Sequence, residues 1–456
     1  MNKPGADTHV ADSIAAQFVS LGMSPADAAS RAELFATLAS QSEPILYGPA
    51  EWRRFTPGRI EIFGKHTDYA GGHSLLAAVP RGIALEARRR ADDVVRVGDI
   101  FDGQVIEVDP ATEAPPRYRG IQRYVHVVAH RFYLNFPGCQ LGTNMAIASD
   151  LPRASGMSSS SALVVGVALA LITRANLREH PEFQRHIRDI HDLAWYLGCV
   201  ENGLDFPGLP GSAGVGTHGG SEDHTAILAC KTERVSLYRF VPVTPLGDDA
   251  MPPDWVFVIA SSGVQADKAD SVKDRYNRAS NGARALHAIW NRHNHEPARA
   301  LAAALASGPY AAAQLADWLE PEGGFTVAEL RTRLEHFIRE TARAPLAAQA
   351  FRDGDRDALG RLAAESQRDA HELLGNQIPE TIALAALARE IGAFASSSFG
   401  AGFGGSVWAA VPRADAPQFG REWGRAFADK MKHIGLVPWF IARPGPPATE
   451  ITASAL

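Results

Sequence analysis

A two-domain α+β fold is predicted for this chain of 456 residues by three features. Strand-like and helix-like stretches are interleaved in both halves. An Ala-rich helical start gives way near residue 46 to alternating apolar residues punctuated by Pro and Gly. A second apolar strand, over residues 254–263, then opens a mostly helical region that returns to strand near the end. Length alone allows two or three domains. The divisions are placed at 1–45, a helical segment, and at 46–245 and 246–456, two larger domains.

The elements follow in order. Residues 11–40 carry helical spacing, and Ser24-Pro25 starts a second helix, since proline suits the first turn. "HSLLAAVPRGIALEARRR" and "DVVRVGD" predict strands of one sheet. "TNMAIAS", Thr143–Ser149, is a further strand, and residues 159–175 are a helix by length and lack of proline. A Gly-rich loop runs from Leu204, either as a linker or as backbone wrapped closely around a ligand. After Asp267 the chain is mostly helical to about Ile391. "SVWAAVP" and "VPWFIARP" close it as strands.

Composition narrows the function. Apolar residues make up 46% of the chain, enough for a large core. A net charge of −6 argues against nonspecific nucleic-acid binding, which needs a basic face. Cys139, Cys199 and Cys230 are scattered without metal-ligand spacing, which suits a reducing compartment. "MNKPGADTHVADS" lacks the apolar core of a signal peptide. The longest apolar run, residues 162–173, is too short to span a bilayer. The expectation is a soluble cytoplasmic protein, monomer or dimer, with no nucleic-acid or membrane partner.

Two nucleotide motifs almost match. "GRIEIFGKH" approaches the Walker loop, but five residues separate Gly58 from Gly64, and His66 follows Lys65 where a hydroxyl is needed. "GAGFGG", residues 400–405, satisfies G-x-G-x-x-G but precedes a strand near the end of the chain, not a helix early in a βαβ unit. "LPRASGMSSSSAL" is more informative. It lies between a strand and a helix, with small residues that let a ligand approach the backbone and four serines, Ser158 to Ser161, at the helix start. Unpaired N–H groups and the helix dipole make that end suit a phosphate. A plain serine N-cap is the bland alternative.

Three stretches in order resemble one superfamily, the GHMP kinases. "LPRASGMSSSSAL" resembles their phosphate loop, and "SSSFGAGFGGSVWAAV" their C-terminal Gly-rich motif. "GRIEIFGKHTDYAGGHSLLAAVP" resembles the galactokinase signature, G-R-x-N-x-I-G-E-H-x-D-Y. "DRYNRA" and "IPETIALAAL" also look like galactokinase segments. The resemblance implies an N-terminal domain with a mixed sheet, helices on one side and the ATP loop. It implies a ferredoxin-like C-terminal domain, with the active site in the cleft between the two.

The same resemblance implies roles. Asp223, in "GGSEDH", takes the position of the catalytic aspartate, and Arg59 would keep it ionised and stabilise the transferring phosphoryl group. Lys65, His66, Asp68, Gly220 and Tyr276 fall on sugar-facing positions. Ser155, Gly156, Met157, Ser158, Ser159, Ser160 and Ser161 form the ATP loop. Ser160 with Glu201 would hold Mg²⁺, an oxygen-seeking ion. The implied reaction is ATP- and Mg²⁺-dependent phosphorylation of a monosaccharide at its anomeric hydroxyl. The alternative is a sugar- and ATP-binding regulator of low turnover.

The sequence departs from the signature where the sugar should lie. Asn becomes Glu61, Glu becomes Lys65, Met becomes Glu222 and Gln becomes His224. Two readings of Lys65 stand. It pairs with Glu61 as a compensating change, or it faces the acceptor. A lysine only donates hydrogen bonds, so the second reading favours an anionic acceptor such as a uronic acid, with galactose still open. The neighbours of Lys65 are sugar-facing, which tilts the expectation towards a ligand contact.

Overall fold

The computed structural model describes residues 6–113, 118–152, 156–264 and 270–452. Its first sheet has eight strands: β1 (Trp52–Phe63), β2 (His73–Arg89), β3 (Val95–Asp99), β4 (Val105–Val108), β5 (Thr143–Ser149), β6 (Arg234–Arg239), β7 (Thr244–Ala250) and β12 (Thr449–Glu450). The main order is β12-β1-β2-β5-β3-β4, with β6 and β7 branching from β2. The β3–β5 pair is parallel and the other pairs are antiparallel, so the sheet is mixed.

Alternation along β2 explains how this sheet is covered. Ile83, Leu85 and Ala87 point into the large core shared with the helices Gly120–Asn135 and Ser159–Arg174. Ala84, together with Phe55, Ala146 and Ala148, points the other way, into a second cluster built by the helices Ala6–Ser20 and Pro25–Gln41. The expectation of helices on one side is therefore corrected. The period-2 pattern leaves apolar side chains on both faces here, and the N-terminal helices cover the second one.

The second sheet has four antiparallel strands, β8 (Trp255–Ser261), β9 (Ala395–Phe399), β10 (Ser406–Pro412) and β11 (Trp439–Ala442), in the order β11-β8-β10-β9. One face carries Val256, Val258, Val407 and Ala409 against the helices Pro379–Glu390 and Ala416–Lys430. The other carries Trp255, Phe257 and Trp408 into the large core, with Ala347 and Phe351 of the helix Val327–Asp353. That core runs from one sheet to the other, so the two halves share packing. β12 then returns to pair with β1, Phe55 opposite Thr449. No helix among the described residues is long and apolar enough to cross a membrane.

Candidate active site

The cleft lies where β1, the start of the Ser159–Arg174 helix, the helix Glu222–Ala229 and the turn after β9 meet. A register shift in β1 between Pro57 and Arg59 puts a bulge at Gly58. Bulges re-aim the next side chain, and here that is Arg59. The segment before the Ser159–Arg174 helix packs against the bulge: Arg59 N donates to Met157 O at 3.3 Å. A Cβ on Gly58 would come within 2.8 Å of that same oxygen.

Arg59 is buried, and its Nε donates to Asp223 Oδ1 at 2.6 Å. Burial works against the arginine's charge, but Asp223, Glu222 and Glu61 outweigh it and raise its pKa. For Asp223, burial would raise the pKa, but Arg59 and the Ser158 hydroxyl overcome it and hold the carboxyl below its usual value. Ser161 Oγ reaches the second oxygen of Asp223 at 3.4 Å and Glu201 Oε2 at 3.0 Å. Glu201 is buried on the helix Ile190–Asn202, with His224 Nε2 at 2.9 Å from the same oxygen.

Ser158 precedes the Ser159–Arg174 helix in the left-handed region and makes no side-chain cap. A plain serine N-cap is therefore not what this end of the chain forms. Gly156 and Ser158 to Ser161 line the cleft, beside a first helical turn whose N–H groups have no intrahelical acceptor. Met157 differs from its neighbours: its side chain is buried in the large core and only its carbonyl serves the site. Ser155 lies outside the described residues. Ser160 lines the cleft, and the Ser161 hydroxyl bonds Glu201. A run of four serines does not say which one the first helical turn presents to the acid.

The other end of the cleft is built around Asp68. Its Oδ2 accepts from Glu222 N at 3.1 Å, and burial pushes its pKa up to about 6. Gly220 lies directly against it, since a Cβ there would sit 2.3 Å from Asp68 Oδ2. His66 stands between Tyr69 Oη and Ala401 O, each 3.1 Å from a ring nitrogen. Burial and Arg333 pull its pKa down to about 4, so the ring is neutral near pH 7. Tyr276, on the helix Asp270–His293, packs its ring 5.1 Å from that of His66.

Lys65 departs from the expectation. It does not line the cleft, and its Nζ is bonded to two serines, while Glu61 acts on it through charge alone. Its Nζ donates to Ser366 Oγ at 2.7 Å and Ser397 Oγ at 2.9 Å, both in the C-terminal half. The physical reason is the buried carboxylate of Glu340 behind the turn, which draws the ammonium away from the cavity. Glu61, one of the departures from the signature and a possible partner for Lys65, lines the cleft. Its Oε2 accepts from Gly400 N at 2.7 Å, and burial raises its pKa to about 7 against the opposing pull of Arg59 and Lys65. Asn202, Thr217 and Lys273 also line the cleft and carry no motif that would have singled them out.

Comparison with known proteins gives this geometry its family. Residues 46–89 match the model of the galactokinase galactose-binding signature, residues 121–197 the GHMP kinases N-terminal domain and residues 347–429 the GHMP kinases C-terminal model. The chain is 28% identical over 386 residues to a galactokinase of a Roseiflexus species, covering 82% of this chain and 86% of the relative. It is 27% identical over 389 residues to the galactokinase of Lactobacillus helveticus, covering 82% and 89%. The fold is similar to that of the Lactococcus lactis galactokinase solved with galactose, with a TM-score of 0.73 at 21% identity over 91% of this chain and 99% of that one. With a galactokinase-specific signature on β1 and β2, and the two GHMP kinase models on either side of the cleft, the chain is similar to the GHMP small-molecule kinases, and these likenesses support a galactokinase-like sugar kinase.

Proposed function

We propose that the protein transfers the γ-phosphoryl group of ATP to the anomeric hydroxyl of a neutral hexose of the galactose type. The observation that carries this reading is the Arg59–Asp223 pair, 2.6 Å apart beside the uncapped start of the Ser159–Arg174 helix. Phosphoryl transfer asks for positioning and charge neutralisation more than covalent help. The helix start and Gly156 would take the phosphates. Asp223, kept ionised by Arg59, would orient the sugar hydroxyl and accept its proton. Arg59 would then face the charge that develops on the transferring group.

Mg²⁺ fits the donors present: Ser161 Oγ and the carboxylates of Glu201 and Asp223 converge as hard oxygens beside the phosphate end. Ser161 with Glu201 is the better-supported pair, and Ser160 is the neighbouring hydroxyl on the same wall. When bound, the ion would neutralise phosphate charge. Residues 46–245 would supply the phosphate loop and residues 246–456 the second wall of the cleft.

A uronic acid is the weaker acceptor. Glu61, Asp68, Glu201, Glu222 and Asp223 line the cleft against the cations Arg59 and Lys273. An anionic sugar would enter an acidic cavity, and Lys65 is turned away from it. The test is ADP release from ATP across neutral hexoses, uronic acids and amino sugars. Turnover confined to galactose-like neutral sugars supports the reading. Preference for a uronic acid contradicts the acceptor class, and silence across the whole panel with ATP still bound contradicts the reaction.

A further inference from the structure

The turn that carries His66 and Asp68 meets the C-terminal half through buried polar groups that the proposed reaction leaves unused. Glu340 Oε1, on the helix Val327–Asp353, accepts from Gly64 N at 3.0 Å, Lys65 N at 3.3 Å and Ser366 Oγ at 2.8 Å. Lys65 Nζ donates to that same Ser366 hydroxyl and to Ser397 on β9. Lys65, Ser366 and Glu340 thus close a hydrogen-bonded ring behind the turn. Arg343 extends it, bonding the other oxygen of Glu340 at 3.0 Å and then Asp369. Lys65 is 1% exposed and Glu340 and Ser366 are fully buried, and none of the three lines the cleft.

The chemistry of the ring requires a donor at position 65. Two hydroxyl oxygens and a carboxylate face it, and an ammonium supplies only donors. A satisfied buried network of this kind fixes its members in one arrangement. The other side of the turn faces the cavity. His66 holds a left-handed backbone, φ 58°, and its carbonyl accepts from Arg333 Nη2 at 2.6 Å. Arg333 belongs to the same helix as Glu340. That helix therefore grips the turn at two points, one residue apart, directly beneath the groups assigned to the sugar.

We propose that Lys65 is a positioning residue: its bonds to Ser366 and Ser397 tie the signature turn to the C-terminal half and so place His66 and Asp68 for the acceptor. The kinetic consequence rests on the sugar-kinase reading, and the structural consequence does not. Lys65→Met keeps the length and apolar stem of the side chain and removes its donors. Ser397→Ala removes one partner and is the milder variant, which preserves the test if the first fails to fold. Hydrogen–deuterium exchange and steady-state kinetics on the full chain then decide.

In Lys65→Met, the amides of residues 64–72 are expected to exchange about tenfold faster or more, equivalent to about 1.4 kcal/mol of lost local protection. Residues 156–174 keep their wild-type exchange. The KM for galactose rises by about tenfold or more, while the KM for ATP and kcat at saturating sugar stay within about threefold. Ser397→Ala moves exchange and galactose KM in the same direction by about two- to threefold. The proposal is overturned if only the melting temperature falls, or if the KM for ATP rises as much as that for galactose. It is also overturned if galacturonate and galactose respond differently, since that reports a ligand contact. Should the wild type phosphorylate no sugar, the functional reading fails, and exchange alone judges the tie: unchanged protection of residues 64–72 in both variants rejects it.

Discussion

Arg59 and Lys65 are buried cations six positions apart on one strand and its turn, and both sit among carboxylates. Arg59 faces the cleft and pairs with Asp223, an acid whose side chain is still 30% exposed to it. Lys65 faces the seam between the halves, where two serines and Glu340 enclose it. The difference teaches that a charged residue in a binding signature takes its role from the partner that neutralises it. A partner open to the cavity leaves the pair available for chemistry. A partner sealed behind the turn makes the pair part of the scaffold.

The sharpest way to break this comparison is at its cleft side. Asp223→Asn is expected to lower kcat by about 10²–10⁴-fold, the range for a lost general base. ATP affinity should hardly change, because in the proposed reaction that carboxylate serves the acceptor. Near-normal turnover would remove Asp223 from the mechanism. Next comes Lys65→Glu, which places a second carboxylate against buried Glu340. Disrupting a buried charge arrangement of this kind costs about 3–5 kcal/mol, so the melting temperature should fall clearly. A wild-type melting temperature would mean that the seam is not where Lys65 is held.

Two smaller effects sharpen the phosphate end. Gly156 has φ +75°, and a Cβ there would lie 3.3 Å from Phe399 O. Gly156→Val forces a β-branched residue into that backbone at about 1–3 kcal/mol, and the loop should lose ATP affinity by about tenfold or more while galactose binding persists. Titration of ATP and of galactose, each alone, checks this. Glu61→Gln is the mildest. A carboxyl raised to about 7 in the fold binds its proton more tightly there than in the unfolded chain. Its contribution is therefore intact below about pH 4.5 and is lost as pH rises towards and through 7. Against the wild type, Glu61→Gln should gain stability at pH 8 relative to pH 5, by no more than about 3 kcal/mol at about 1.4 kcal/mol per pH unit. Equal unfolding midpoints at pH 8 and pH 5 in both proteins would reject a buried titrating Glu61.

How far the sequence carries depends on whether a role is local. The strand Thr143–Ser149 and the helix from Ser159 follow from alternation and length within a few residues, and they stand where expected. Arg59 and Asp223 are 164 residues apart, yet each lies in its own short motif, and the fold joins them at 2.6 Å. Lys65 was not legible in this way. What turns it is Glu340, Ser366 and Ser397: the first two lie in no motif, and the motif that holds Ser397 gives no sign of Lys65 as its partner. Glu61 likewise reaches Gly400 across 339 residues. Ser161 meets Glu201 across the first helical turn, and a run of four serines does not by itself reveal the phase of that turn. The N-terminal helices follow from Ala-rich helical spacing, but periodicity does not say which face of which sheet they cover.

The most direct measurement is single-turnover phosphoryl transfer from saturating ATP to saturating galactose, with Asp223→Asn and Lys65→Met run side by side against the wild type. With both substrates bound, only the chemical step is read. The account predicts that Asp223→Asn loses about 10²-fold or more of the transfer rate, whereas Lys65→Met stays within about threefold of wild type, its defect having been confined to sugar affinity. Transfer by Asp223→Asn at the wild-type rate, or a loss in Lys65→Met as large as that in Asp223→Asn, would contradict it.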